Sequence, residues 1–189
     1  MFRVGFVGCA GTGKSTLAKS TATLLDVEFL SSKDVTQPIL ERDGYVYGAG
    51  VQIERFLANS DRQNEILKHT MVRYKEHEQF VTDRTVIDLA AYAVKELHET
   101  DTKTLRKIYD TCRELSATYT HIIVCPWRDA PIEDNQRRTL NQWYQFLIHC
   151  TERGIIREWC LTEATQVSVL ESDGFDARME EISRIFCLE

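Results

Sequence analysis

The segment Gly8-Cys9-Ala10-Gly11-Thr12-Gly13-Lys14-Ser15 restricts what this chain can fold into more than any other. Its spacing, G-x-x-x-x-G-K-[ST], is that of a phosphate-binding loop, and such a loop works between a strand and a helix. Both flanks agree. Phe2 to Val7 is short, apolar and rich in β-formers, and Lys14 to Leu25 holds no Gly or Pro. The glycines let the chain wrap closely around a polyphosphate. Inward-pointing N–H groups and a helix N-terminus then favour the anion. The expected nucleotide-binding set is Gly8, Ala10, Gly11, Thr12, Gly13, Lys14, Ser15 and Thr16. Lys14 is placed to reach the β- and γ-phosphates, and the Ser15 hydroxyl to ligate Mg²⁺.

Around this loop, apolar runs alternate with helical periodicity, which is the α/β pattern. Strands are expected at Phe2–Val7, Val27–Leu30, Gln79–Asp83, His121–Cys125 and Gln166–Leu170. Apolar stripes mark helices at Ile87/Ala90/Ala91/Val94/Leu97 and Leu105/Ile108/Cys112/Leu115. Two more run through Leu140/Trp143/Tyr144/Leu147/Ile148 and Phe175/Met179/Ile182/Ile185/Phe186. These stripes read as core. Asp173 or Asp176 is the expected cap of the last helix. The length of 189 residues suits one domain, 1–189. About 50 residues separate the second strand from Gln79, far more than a minimal crossover needs. Residues 34–78, with their Gly- and Tyr-rich stretch and a charged helix from Asp61 to His77, therefore read as a substrate-side insertion.

Charge and cysteines exclude some functions. The net charge of −6, from 23 Lys and Arg against 29 Asp and Glu, argues against a general affinity for nucleic acid. Among the six cysteines there is no C-x-x-C pair and no His at metal spacing, so packed free thiols are expected. Cys9 adjoins a helix N-terminus, which lowers a thiol pKa, but it reads more simply as a small residue filling the loop. No apolar run is long enough to span a membrane, and Met1-Phe2-Arg3 leads directly into the first strand. The expected compartment is the cytoplasm, the host cytoplasm if the chain is phage-encoded.

A second constellation is Phe80-Val81-Thr82-Asp83-Arg84-Thr85-Val86-Ile87-Asp88. Asp83 closes a strand, and ligands of open α/β sheets bind beyond the carboxyl ends of strands. A carboxylate there can hold the Mg²⁺ shell or accept a proton from an attacking hydroxyl; alternatively it caps the next helix. Arg84 can fork onto a phosphate. Asp88 is either a substrate ligand or a first-turn residue. Asp34 follows the second strand, and either serves as a base or caps the helix toward Glu41. Trp127-Arg128-Asp129 through Asp134-Asn135-Gln136-Arg137-Arg138 precedes a long helix, and 127–153 is the expected lid region. Cations at a helix start are misplaced against its dipole unless they meet an anion, so Arg137 or its neighbour Arg138 is the expected cover for the transferring phosphoryl group. Glu171-Ser172-Asp173-Gly174-Phe175 is the adenine-site candidate by position.

These residues together resemble the P-loop kinases of nucleosides and nucleotides, among them nicotinamide riboside kinase-like proteins and many phage nucleotide kinases. The resemblance rests on Gly8–Ser15 and on Asp83-Arg84-Thr85 with Asp88 and Ala90-Ala91-Tyr92-Ala93. That second block is also similar to the Asp-Arg block of thymidylate kinases, and Asp134-Asn135-Gln136-Arg137 is similar to the family's lid. The resemblance implies a P-loop NTPase three-layer sandwich, with a five-stranded parallel sheet in the order 2-3-1-4-5 and helices on both faces. It implies transfer of the γ-phosphoryl group of ATP, with Mg²⁺ held through Ser15 and Asp83, to a nucleoside, nucleotide or related acceptor. Lys14, Asp83, Arg84, Arg137 and Asp34 would carry that chemistry. The chain departs from the group at Ser31-Ser32-Lys33-Asp34, where Glu followed by Arg is frequent. Two alternatives stand beside this reading: a kinase of a hydroxymethylated pyrimidine in phage DNA, whose base the insertion would stack, and a regulatory ATPase without a small-molecule acceptor. The expected partners are the nucleotide and a small-molecule or DNA-base acceptor, with no membrane partner and a homodimer as the assembly allowed for.

Overall fold

The computed structural model describes residues 1–45, 57–128, 141–159 and 165–188. Its centre is a sheet of five parallel strands: β1 (Arg3–Val7), β2 (Glu28–Leu30), β3 (Phe80–Thr82), β4 (His121–Val124) and β5 (Gln166–Val169). The spatial order is β2-β3-β1-β4-β5, the order implied by the resemblance. Each expected strand is present with its ends trimmed. The helices described are α1 (Lys14–Leu25), α2 (Lys33–Arg42), α3 (Ser60–Glu76), α4 (Val86–Leu97), α5 (Thr102–Ser116), α6 (Gln142–Glu158) and α7 (Phe175–Ile185). Among the described residues, no helix is long and apolar enough to cross a membrane.

Period-two alternation in the strands divides the core between the two faces of the sheet. Val4, Phe6, Val81 and Ile123 pack with Leu17 and Ala18 of α1 and Ile182 of α7. Val7, Phe80, Ile122 and Val124 pack on the other face with Ile87, Ala90 and Ala91 of α4 and Ile108 of α5. Helix α4 lies at the centre of its layer and is buried nearly all round, far beyond a single stripe. Each fully buried large side chain contributes about 1.5–3 kcal/mol relative to exposure, and among the described residues the central strands carry many of them.

Strand register sets the site. Leu30 and Gly5 both pair with Thr82, and Val7 pairs with Val124. β2 and β3 therefore end level with each other, β1 and β4 end level two residues farther on, and the chain leaves all four at the same edge as Ser31, Asp83, Gly8 and Cys125. A third apolar cluster lies at this edge, where Cys9 packs with Val35 and Ile39 of α2, Ile66 of α3, Tyr92 of α4 and Ile148 of α6.

Two expected helix caps are corrected. Helix α2 has Ser32 at its N-cap with no side-chain hydrogen bond, and Asp34 lies in its first turn. Helix α7 begins after Gly174, whose φ of 77° no Asp side chain accompanies as a cap. Helix α6 departs most from expectation. Trp143, Phe146 and Leu147 are exposed, whereas Gln145 and Glu152 are buried beside Ile148. The apolar stripe expected there is thus turned partly outward.

Candidate active site

The P-loop links β1 to α1, and two glycines shape it. Gly8 has φ +148°, and a Cβ on it would lie 2.4 Å from the Cys125 carbonyl oxygen, so any side chain would push β4 away. Gly13 is the N-cap of α1 in the left-handed region, φ 84°, with no side chain capping the helix. The first N–H groups of α1 thus stay available to an anion.

Lys14 is buried under the loop. Its ammonium donates to the Gly8 carbonyl and, at 2.7 Å, to the Cys9 carbonyl. Two of its three protons are engaged in closing the loop on itself. The Cys9 thiol is buried too, and burial pushes its pKa up to about 12 against the opposing charge of Lys14. The simple reading holds: Cys9 fills space and is no reactive thiolate.

Asp83 emerges from β3 directly onto the loop. Its carboxylate accepts from the Ser15 hydroxyl at 2.6 Å and from the Ser32 N–H at 2.8 Å, and the residue is only 2% exposed. It is not a helix cap. That role belongs to Thr85, whose hydroxyl accepts from Ile87 and Asp88 N–H groups while Asp88 accepts from the Thr85 N–H, forming a capping box. Asp88 is therefore the first-turn residue, yet it is also buried and lies 3.6 Å from the Arg84 guanidinium.

The turn carrying Asp83 and Arg84 is pinned from below. Thr82 donates to the Leu30 carbonyl or the Arg84 carbonyl, each at 2.9 Å. Tyr74 of α3 and Tyr119 share a hydroxyl–hydroxyl bond of 2.8 Å, and Tyr119 also accepts from the Val86 N–H at 3.2 Å. Arg84 itself lies over the Tyr92 ring, 5.1 Å from its centre.

Beside Arg84 lies a cavity under α2 and α3. Leu30, Val35, Ile66 and Leu89 give it apolar walls, and Thr70, Arg73 and Arg84 its polar groups. Arg73 donates to the Ser31 carbonyl at 2.8 Å and pairs with Asp34 at 3.1 Å. Asp34 thereby lies at the margin, largely exposed, and does not line the cavity. On the far side of the P-loop, Arg178 of α7 donates to the Thr12 carbonyl at 2.8 Å and the Ser172 carbonyl at 3.1 Å. Arg128 donates to the Ser172 carbonyl at 2.8 Å and pairs with Asp173. The loop at 171–175 is thus fastened to the P-loop through Arg178. Arg137 and Arg138 lie outside the described residues, as does most of the Gly/Tyr-rich stretch.

Sequence reasoning missed Gln145, Glu152, Arg73 and Arg178. Gln145 accepts from the Ala10 N–H of the P-loop at 3.0 Å, and Glu152 lies two turns along the same face of α6. Their spacing with Ile148, three and four residues apart, was the available signal. The more apolar neighbouring face obscured it.

Comparison with known proteins agrees with this architecture. Residues 3–153 match a family model described as an AAA domain. No curated protein matches the sequence. Among solved structures, deoxyadenosine kinase from M. mycoides with bound dATP is similar, with a TM-score of 0.63 at 14% identity over 99% of this chain and 100% of that one. The same enzyme with bound dCTP gives 0.55 at 12% identity over 97% and 98%. Shikimate kinase from Acinetobacter baumannii in complex with shikimate gives 0.52 at 15% identity over 97% and 92%. At these identities the likeness is one of fold.

Proposed function

The chain belongs to the AAA-domain family matched across residues 3–153, and from that premise we propose that it is an ATP-dependent phosphotransferase acting on a nucleoside, a nucleotide or a related acceptor. One observation carries the reading. Asp83 bonds the P-loop serine at 2.6 Å, and the next residue, Arg84, lines the cavity beside it. Two consecutive residues thus join the P-loop to the neighbouring cavity, where an acceptor would lie.

The polyphosphate would lie on the loop N–H groups, and Lys14 would exchange its carbonyl partners for phosphate oxygens. Ser15 and Asp83 offer hard oxygen donors already in contact, which fits Mg²⁺. When bound, the ion would supply charge neutralisation at the polyphosphate. Arg84 would meet the incoming phosphoryl oxygens, and Arg137 would cover them. Asp83 would serve as base for an acceptor hydroxyl, since Asp34 is paired with Arg73 outside the cavity lining. Catalysis would be positioning and charge stabilisation rather than covalent chemistry. The apolar walls with two flanking arginines suit a flat heterocycle bearing polar substituents, and the fold shared with a deoxyadenosine kinase supports the nucleoside class.

The test is an acceptor panel with labelled ATP and Mg²⁺: nucleosides, mononucleotides, nicotinamide riboside, shikimate and hydroxymethyluracil DNA. Transfer to a nucleoside or nucleotide, lost in Lys14→Ala, is the expected result. Full transfer in Lys14→Ala, or ATP hydrolysis with no acceptor labelled, would remove the reading.

A further inference from the structure

Beneath the P-loop lies a polar cluster that the phosphotransfer reading leaves unused. Glu152 of α6 is 1% exposed and neither carboxyl oxygen meets a donor. Asp88 of α4 is equally buried, and its Oδ1 also meets none. Its Oδ2 is taken by the Thr85 N–H and the Thr85 hydroxyl, each at 2.9 Å. Asp88 lies within hydrogen-bonding reach of Glu152, and the Lys14 and Arg84 cations face it as well. Among the described residues, Tyr92, Cys9 and Cys125 are further titratable groups that feel the Glu152 charge.

Two ionised carboxylates in this position would leave three oxygens bare in a dry interior. Each would cost several kcal/mol, and such a group takes up a proton instead. One proton between Glu152 and Asp88 gives each a hydrogen-bond partner and leaves a single negative charge between the two cations. Burial, reinforced by the Asp88 charge, holds the Glu152 carboxyl well above the usual range. The Arg84 guanidinium, 3.6 Å from Asp88 Oδ1, is then anchored by that single charge.

We propose that Glu152 is a positioning residue: it shares one proton with Asp88, and the pair holds Arg84 and Lys14 in place at the phosphate site. The positional role rests on the phosphotransfer reading; the shared proton does not. Glutamine is the diagnostic substitution, because its amide can donate to Asp88 permanently without titrating.

The proton is tested by urea unfolding of wild type and Glu152→Gln between pH 5.5 and 8.5. The raised carboxyl binds a proton in the folded state that the unfolded chain has released above its ordinary pKa. Wild-type stability therefore falls with rising pH until the folded-state value is passed, by up to tenfold in the folding constant per pH unit. Glu152→Gln removes that slope, and parallel curves would overturn the pair. The positional role is tested by Mg²⁺-ATP affinity and ATP turnover. Glu152→Gln is expected within about threefold of wild type, and Glu152→Ala to lose roughly tenfold or more in turnover with a smaller change in affinity. Turnover unchanged in Glu152→Ala, or Glu152→Gln as impaired as Glu152→Ala, would overturn the role. Glu152→Gln alone decides if Glu152→Ala does not fold. Absence of Mg²⁺-ATP binding by wild type would sink the phosphotransfer reading and the positional role with it, and the unfolding curves would still decide the proton.

Discussion

The Asp83–Asp88 block and helix α6 both deliver polar groups to the P-loop, and they do so in opposite ways. The block is built by local rules. A strand ends at Thr82, two functional residues follow, and a Thr85–Asp88 capping box starts the next helix. Helix α6 breaks its local rule. Its aromatic and aliphatic residues Trp143 and Leu147 are 75% and 45% exposed, while Gln145 and Glu152 are at most 2% exposed. A group placed by the chain's own punctuation can be found from nearby residues. A group placed by tertiary packing answers to partners far away in sequence.

The largest effect expected on the block side is from Asp83→Asn. The amide keeps the shape but loses the charge that holds Ser15 and the metal shell. A kcat/KM decrease of about 100-fold or more is expected, with the thermal midpoint little changed. Steady-state kinetics on the acceptor identified by the panel measures it. Unchanged kinetics would make Asp83 a structural ligand of Ser15 and Ser32 and nothing more, and the distinction between a chemical block and a supporting helix would collapse.

The same contrast explains how much was legible. Four of the five strands are apolar and rich in β-branched or aromatic residues, so pattern alone located them. The P-loop motif and the Asp-Arg block beyond β3 were also legible as motifs, and the fold brings them together at the Ser15–Asp83 contact. Asp34 was harder, because a carboxylate two residues past Ser32 caps a helix or starts its first turn with equal ease on paper; the backbone chose Ser32. Arg178 gave no sequence signal, since its partners are backbone carbonyls of Thr12 and Ser172. On α6, hydropathy points to Trp143 as core. Burying Gln145 and Glu152 instead depends on Ala10 for the one and on Asp88, Lys14 and Arg84 around the other, neighbours no local window contains.

A smaller, structural effect sharpens the helix side. Gln145→Ala removes the acceptor for the Ala10 N–H and leaves a small void at a site 2% exposed. The Ala10 N–H is half-buried, so leaving it unpaired costs toward the lower end of about 1–3 kcal/mol, and urea unfolding should show a loss of about 1 kcal/mol. A loss below about 0.5 kcal/mol would mean that water replaces the side chain and that α6 does not brace the loop.

The smallest effect belongs to the face that hydropathy marks as core. Trp143 touches Phe146 edge-on, with ring centres 6.1 Å apart, and Phe146 in turn meets Trp127 at 5.0 Å. Truncating a buried Trp costs about 3–5 kcal/mol, whereas an exposed substitution stays within about 0.5 kcal/mol. Trp143→Ala, measured beside Gln145→Ala in the same unfolding series, is expected at the lower figure. The order of the two variants is the decisive quantity. If Trp143→Ala were the more damaging, α6 would bury the stripe its sequence advertises, Gln145 would face away from Ala10, and Glu152, on the same face as Gln145, could not reach Asp88.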